Sequence, residues 1–334
     1  MEYFRRFSIP VALLIGTIIF FWWLFPLQKL TVQIDGRELS WGEKLPEEKQ
    51  SPDLPLRTAT VLFGGDMQFD RYIRTVSGRR GGAFLFDGLR TEFQKADLVV
   101  ANLEGPITDK TSVSETSIEG SRDNYVFTFP PETAARLKEE NVGLVNIGNN
   151  HILNFKEEGA RRTKEYLEAA GVGYFGSPLS GDERVAYREI GGMRFGFVNY
   201  NEFVWKGREK AMEDITNARS ASDFVIVYTH WGKEYVGATP EMKTLGHEFI
   251  DAGADLVIGS HPHVVQEREI YRGKTVYYSL GNLIFDQYFR PETQAGLVVR
   301  AVFDPVTRDI SLTELPVRLK ANGQTELLSP VGNK

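Results

Sequence analysis

From Thr58 onward the chain alternates short apolar runs with polar punctuation. Runs of five or six mostly β-branched or aliphatic residues, bounded by Gly, Asn or Asp, recur in TATVLFGGD, ADLVVANLE, VGLVNIGNN, MRFGFVNYNE, DFVIVYTH, DLVIGSHPH, TVYYSLGN and GLVVRAVF. Such runs predict strands buried on both faces, and helices predicted over 156–170 and 240–252 supply the cover. The class is therefore α/β. Residues 296–318 alternate apolar with polar, which predicts an antiparallel pair, and so a mixed sheet or a second sheet packed on the first. No internal repeat or low-complexity tract interrupts the pattern.

The amino-terminal pattern is of another kind. After Arg5 and Arg6 comes SIPVALLIGTIIFFWWLFPLQ, about twenty uncharged residues, the length of a membrane-spanning helix. Trp22 and Trp23 suit the interfacial aromatic belt, and the arginine pair predicts a cytoplasmic amino terminus with the rest of the chain outside the cytoplasm. A cleaved signal peptide is the rival reading. Its apolar region would be shorter, and no small-x-small site follows Leu27, so an uncleaved single-pass signal anchor in the cell membrane is favoured. Residues 31–57 are polar and proline-punctuated and predict a linker, 58–320 a globular domain, and 321–334 a tail.

Composition narrows the functions. The 334 residues, 42% hydrophobic and 25% charged, suffice for one large domain with an appendage. A net charge of -6 argues against a nucleic-acid partner. With no cysteine, thiolate metal sites, Cys nucleophiles and disulfides are excluded, so any metal is held by oxygen and nitrogen.

Four of the five histidines follow strand runs, in GNNH (148–151), THWGKEY (229–235) and GSHPH (259–263). In an α/β chain those positions open on the crevice at the carboxyl ends of strands. In His261-Pro262-His263 the proline predicts an extended step that turns both rings to one pocket, and neutral imidazole is a common ligand of divalent ions. Asp66 follows VLFGG, where Gly64 and Gly65 predict a tight turn; alone it reads equally as a turn or cap residue. Glu104 ends LVVANLE, with Asn102 two residues earlier on the same side; a lone strand-end Glu is usually solvated. Asn149 and Asn150 could form a polar turn, His230 a half-buried hydrogen-bonded ring, and His247 belongs to the 240–252 helix. Jointly, two carboxylates, an Asn and three or four His at strand ends match what two divalent ions about 3.5 to 4 Å apart require. Arg71, Arg74, Arg79 and Arg80 follow Asp66 and could bind an anionic substrate or form a solvated helix face.

Through GGDMQFDRYIR, ADLVVANLEGPIT, NIGNNHILNF, THWGKEY, GADLVIGSHPHVVQ and YYSLGNLIFDQ, over nearly all of 58–290, the chain resembles the capsule-synthesis family called CapA or PgsA, within the calcineurin-like metallophosphoesterase superfamily. The resemblance implies a four-layer αββα sandwich tethered outside the membrane. It also implies work on an anionic polymer such as poly-γ-glutamate, alongside other membrane capsule-synthesis subunits. Carried over, Asp66, Glu104 and His263 would hold one divalent ion (Mn, Fe, Zn or Mg). Glu104, Asn150, His230 and His261 would hold the other, with Glu104 bridging and His151 as general acid. Arg71, Arg74, Asn102 and Asn282 are the substrate-binding candidates, the Gly281-Asn282 turn forming a pocket wall near Asp286 and Gln287. Three departures stand out, the first being Glu104 in place of the superfamily's bridging Asp. Gln68 occupies the place of the superfamily's first-motif His, and Asn154 that of the family's Asp after NNH. Two classes follow: a membrane-anchored hydrolase of phosphoester or γ-glutamyl amide bonds, or a non-hydrolytic polymer-gripping component of a synthase and exporter.

Overall fold

In a computed structural model the described residues are 31–34, 37–40, 56–179 and 184–328. The chain divides into one unit ending at Asp53 and a compact unit from Leu54 onward. In the first, β1 (Thr31–Ile34) and β2 (Arg37–Ser40) pair antiparallel within the stretch whose composition predicts a linker. The apolar stretch before Thr31 lies outside the described residues, and among those described no helix is long and apolar enough to cross a membrane.

The second unit runs β3 (Ala59–Met67), α1 (Arg71–Arg80), α2 (Arg90–Phe93), β4 (Leu98–Leu103), α3 (Glu132–Glu139), β5 (Val142–Asn146), α4 (Lys156–Ala170) and β6 (Gly173–Phe175). It continues with β7 (Val185–Ile190), β8 (Met193–Asn201), α5 (Gly207–Ala221), β9 (Phe224–His230), α6 (Pro240–Ala252) and β10 (Leu256–Ser260). Last come β11 (Arg268–Tyr271), β12 (Lys274–Tyr277), β13 (Asn282–Ile284), β14 (Ala295–Phe303), β15 (Ile310–Leu319) and β16 (Thr325–Leu327). The two predicted long helices carry the predicted limits. In α6, Thr239 caps the start by accepting from the Met242 amide, and Pro240 fills the first turn, where no amide is needed.

The strands form two mixed sheets. One is eight-stranded, ordered β16-β15-β14-β3-β4-β5-β6 with β13 also on β3; the other is six-stranded, β11-β12-β10-β9-β8-β7. β3, β4, β5 and β6 run parallel, as do β8, β9, β10 and β12, while β14 and β15 are the antiparallel pair foreseen from their alternation. β16 extends the first sheet into the predicted tail: Thr325, buried there, donates its hydroxyl to the Leu283 carbonyl.

Alternation along each strand explains the unbroken apolar runs. Val61, Phe63 and Val100 of the first sheet meet Phe195, Phe197, Ile226 and Ile258 of the second in a core between the sheets. The intervening Leu62, Val99 and Val145 face α1, α3 and α4 through Ile73, Leu137 and Leu167. On the far side Val225, Val227 and Val257 face α5 and α6 through Ile215, Met242 and Phe249. The result is helix, sheet, sheet, helix in four layers, with the carboxyl ends of both parallel blocks at one edge.

Two local expectations are corrected. Gly64 and Gly65 make no turn; both lie inside β3. A Cβ on Gly65 would stand 1.8 Å from the Gly281 carbonyl oxygen, and one on Gly64 would stand 2.5 Å from Leu283, so the glycines allow β13 to approach. Nor is the His-Pro-His step extended. β10 ends at Ser260, and His261 and His263 take φ of 95° and 57°, in the left-handed half of backbone space.

Candidate metal centre

Strand ends deliver the polar residues to one buried cluster. Asp66 comes from β3, Asn102 and Glu104 from the end of β4, the GNNH loop from β5, His230 from β9 and the His-Pro-His turn from β10. Asp66, Asn102, Glu104 and His230 are fully buried; His261 and His263 nearly so. Ligand atoms of Glu104, His261 and His263 lie within 4.8 Å of one another, as do those of Asp66, Glu104 and His230. Glu104 is common to both groups, as a bridging position requires. The grouping differs from the carried-over allotment, which pairs His263 with Asp66 and His261 with His230. His263 stays beside Asp66 through Nδ1, 3.4 Å from Oδ2, but turns Nε2 toward Glu104 Oε1 at 3.5 Å. His261 is tied to Asp66 by its backbone amide, which donates to Oδ2 at 3.0 Å.

Asparagines set the imidazoles. Asn282 donates its amide hydrogens to Gln287 and the Thr293 carbonyl, which leaves Oδ1 to accept from His263 Nδ1 at 2.9 Å. Asn154 Oδ1 accepts from the Phe127 amide and faces His151 Nδ1 at 3.1 Å, so that nitrogen too carries the hydrogen. The bare Nε2 of His151 then lies 3.8 Å from Glu104 Oε1. His230 has Nδ1 3.0 Å from Ser260 Oγ and Nε2 2.9 Å from Asn150 Oδ1. Asn102 is the hub: it donates to Asp66 Oδ1 at 2.7 Å and accepts from Asn146 and Asn149.

These bonds reassign part of the predicted set. Asn102 and Asn282 have their amides engaged by the protein and orient other side chains rather than facing a substrate. Arg74 is drawn away altogether, donating to Asp70 Oδ1 at 2.8 Å and to the Thr128 carbonyl. Arg71 does border the site: its guanidinium pairs with Asp286, lies over Phe127 and Phe285, and flanks a cavity of about 420 Å³ lined also by Asn124, Tyr125, Tyr235 and Gln287. His247 sits on α6, 2.9 Å from Glu269, as foreseen for a helix-surface residue. Sequence reasoning missed the supporting roles of Asn146, Ser260 and the half-exposed Phe203, whose ring packs 4.7 Å from that of His261. Strand-end position was the available signal for the first two.

The electrostatics suit cations. Burial pushes the Asp66 carboxyl up to about 6, and burial together with the Asp66 charge raises Glu104 well above the ordinary carboxylate range. Burial holds His151 and His261 down to about 4 and lowers His230 and His263 too, so all four rings are neutral at pH 7. Among the described residues, both Glu104 oxygens and His261 Nδ1 are buried without a hydrogen-bond partner. An unpaired buried polar group costs about 1 to 3 kcal/mol, so these orphaned atoms, with neutral imidazoles and paired carboxylates around them, fit divalent ions.

The family model described as bacterial capsule synthesis protein PGA_cap matches residues 60–287. The chain is 28% identical over 259 residues to the PGA biosynthesis protein CapA of Bacillus subtilis (strain 168), covering 72% of this chain and 66% of that one. It is 25% identical over 282 residues to the capsule biosynthesis protein CapA of Bacillus anthracis, covering 78% and 67%. It thus spans about two thirds of these relatives' length. A solved structure of a hypothetical protein from Thermus thermophilus shares the fold, with a TM-score of 0.51 at 19% identity, covering 77% of this chain and 98% of that one.

Proposed function

This chain belongs to the bacterial capsule synthesis family PGA_cap, and from that premise we propose that it is a membrane-anchored metallohydrolase of poly-γ-glutamate capsule assembly. Its site faces outside the cytoplasm and cleaves a phosphoester or γ-glutamyl amide bond during synthesis, release or attachment of the polymer, beside other membrane subunits. The observation that carries the reading is Glu104: a fully buried carboxylate with both oxygens unpartnered, ringed by Asp66, His230, His261 and His263.

Two divalent ions bound there would acidify a bridging water and offset developing oxyanion charge. The chain's own residues do the rest. Asn102 fixes Asp66, and Asn282 and Ser260 hold His263 and His230 with Nε2 toward the crevice. His151, held by Asn154 with a bare Nε2, is the proton-transfer residue: Nε2 accepts the proton that the attacking water releases and passes it to the leaving group. Arg71, paired with Asp286, borders the adjoining cavity, where its guanidinium can turn to a substrate carboxylate or phosphate that replaces that partner.

The test uses the full chain purified in detergent, loaded with Mn, Fe, Zn or Mg, and assayed on phosphodiesters and γ-glutamyl oligomers. Turnover by the wild type, abolished in Glu104→Gln, supports hydrolysis. A second reading, polymer binding without hydrolysis, is favoured by Gln68 and Asn154, which stand where the resemblance implies a His and an Asp. Tight polymer binding with no turnover under any metal would establish that reading and sink the first.

A further inference from the structure

Gln68 is a polar residue at the crevice for which the site as described has no use. Its side chain is fully buried, and among the described residues neither its amide oxygen nor its amide nitrogen meets a hydrogen-bond partner. It follows β3 directly, and its backbone amide donates to the Ile284 carbonyl at 2.7 Å, which carries the strand's ladder one residue further. Met67, between Asp66 and Gln68, packs into the helix-side core. By strand alternation Asp66 and Gln68 therefore leave the backbone on the opposite side, where Asp66 joins the cluster. A dry amide left unsatisfied by the protein calls for a partner that the protein does not supply.

We infer that the Gln68 carbonyl oxygen is a ligand to the ion beside Asp66 and makes that position select an oxygen-preferring cation, manganese or magnesium, over zinc. The inference rests on the metal-site reading above. Two carboxylates and an amide oxygen beside a single imidazole, His230, form an oxygen-rich donor set, whereas His261 and His263 give the other group a nitrogen-rich one. Carboxylate and carbonyl donors suit Mg and Mn, and imidazole suits Zn. A neutral amide also adds a donor without a third negative charge beside Asp66 and Glu104.

The test is metal titration of the purified full chain after chelator treatment, with Mn and Zn run separately. Binding constants come from calorimetry, stoichiometry from elemental analysis, and Mn occupancy from electron paramagnetic resonance. Wild type should bind two ions, one of them preferring Mn. Gln68→Leu should weaken that ion roughly 10- to 100-fold, a loss of the size seen when the support of a metal site is removed, and leave the other unchanged. Gln68→His should move the same position about 10-fold or more toward Zn, and Gln68→Glu should keep its Mn preference. If Gln68→Leu does not fold, the His and Glu variants carry the comparison. Two ions bound by the wild type, with neither affinity nor metal preference altered in the variants, overturns the inference alone. A wild type that binds no ion overturns it together with the reading on which it rests.

Discussion

His261 and His263 hold their rings at the site from backbone conformations that cost side-chain-bearing residues of order 1 to 3 kcal/mol each. Since neither fills the core between the sheets, the double change His261→Ala and His263→Ala should strip bound metal with the far-ultraviolet circular dichroism unchanged; retained metal by elemental analysis would refute the assignment. His151 needs a separate experiment. His151→Asn should keep metal and polymer binding but slow turnover by about 10²- to 10⁴-fold on substrates with basic leaving groups. The defect should shrink when the leaving group needs no proton, whereas equal slowing of both with metal loss would make His151 a ligand. The sequence made these histidines legible because each follows a strand run. It did not reveal that the hydrogen on His263 Nδ1 is placed by Asn282, since a partner 19 residues away leaves no spacing signal.

Among the elements, β3 sets the tightest tolerance, because β13 lies against its glycines. Gly65→Ala would press a Cβ into the Gly281 carbonyl, a backbone atom with no rotamer to yield, and should cost upward of about 2 kcal/mol in chemical denaturation. Gly78 in the exposed turn of α1 is the counterpart: nothing lies within 4 Å of its Cβ position, and Gly78→Ala should stabilise by about 0.5 to 1 kcal/mol. A Gly65 variant as stable as wild type would mean that the two strands can part at no cost. Helices α4 and α6 were legible from local pattern, whereas α5, as long as α4, was not. β13 was not, because three residues buried beside a bulged strand have no periodicity of their own, and the same contact turned a predicted glycine turn into a close approach. Arg74 was misplaced for a related reason: a basic helix face looks alike whether it meets a substrate or, as here, Asp70 and a loop carbonyl.

At the scale of the molecule, proton uptake and metal uptake compete. Asp66, raised to about 6 when folded, and Glu104, raised well above the ordinary carboxylate range, are penalised as charges above their folded values. In the metal-free protein the Asp66 penalty disappears as pH falls below about 6 toward the unfolded carboxylate value near 4. The depressed histidines act in the opposite sense: the unfolded chain gains protons below about 6.5, so they remove stability over an overlapping range. A bound cation needs the carboxylates ionised, so its stabilisation should be larger at pH 7.5 than at pH 5.5. Differential scanning calorimetry with saturating metal and with chelator should show a larger rise in Tm at pH 7.5, of the size expected from about 2.7 kcal/mol per ion at a hundredfold excess over Kd. An equal rise at both pH values would exclude these carboxylates as ligands. The two sheets contribute different donors: Asp66 and Glu104 belong to the first and His230, His261 and His263 to the second. No fragment carrying one sheet can hold the full set, and during synthesis the set is incomplete until His263 has emerged and both sheets have met. Loading of the ion is then a late event that reports completed assembly. An ion held there would be a rivet across the seam that must be drawn before the sheets can separate, so adding metal should slow unfolding far more than it speeds folding.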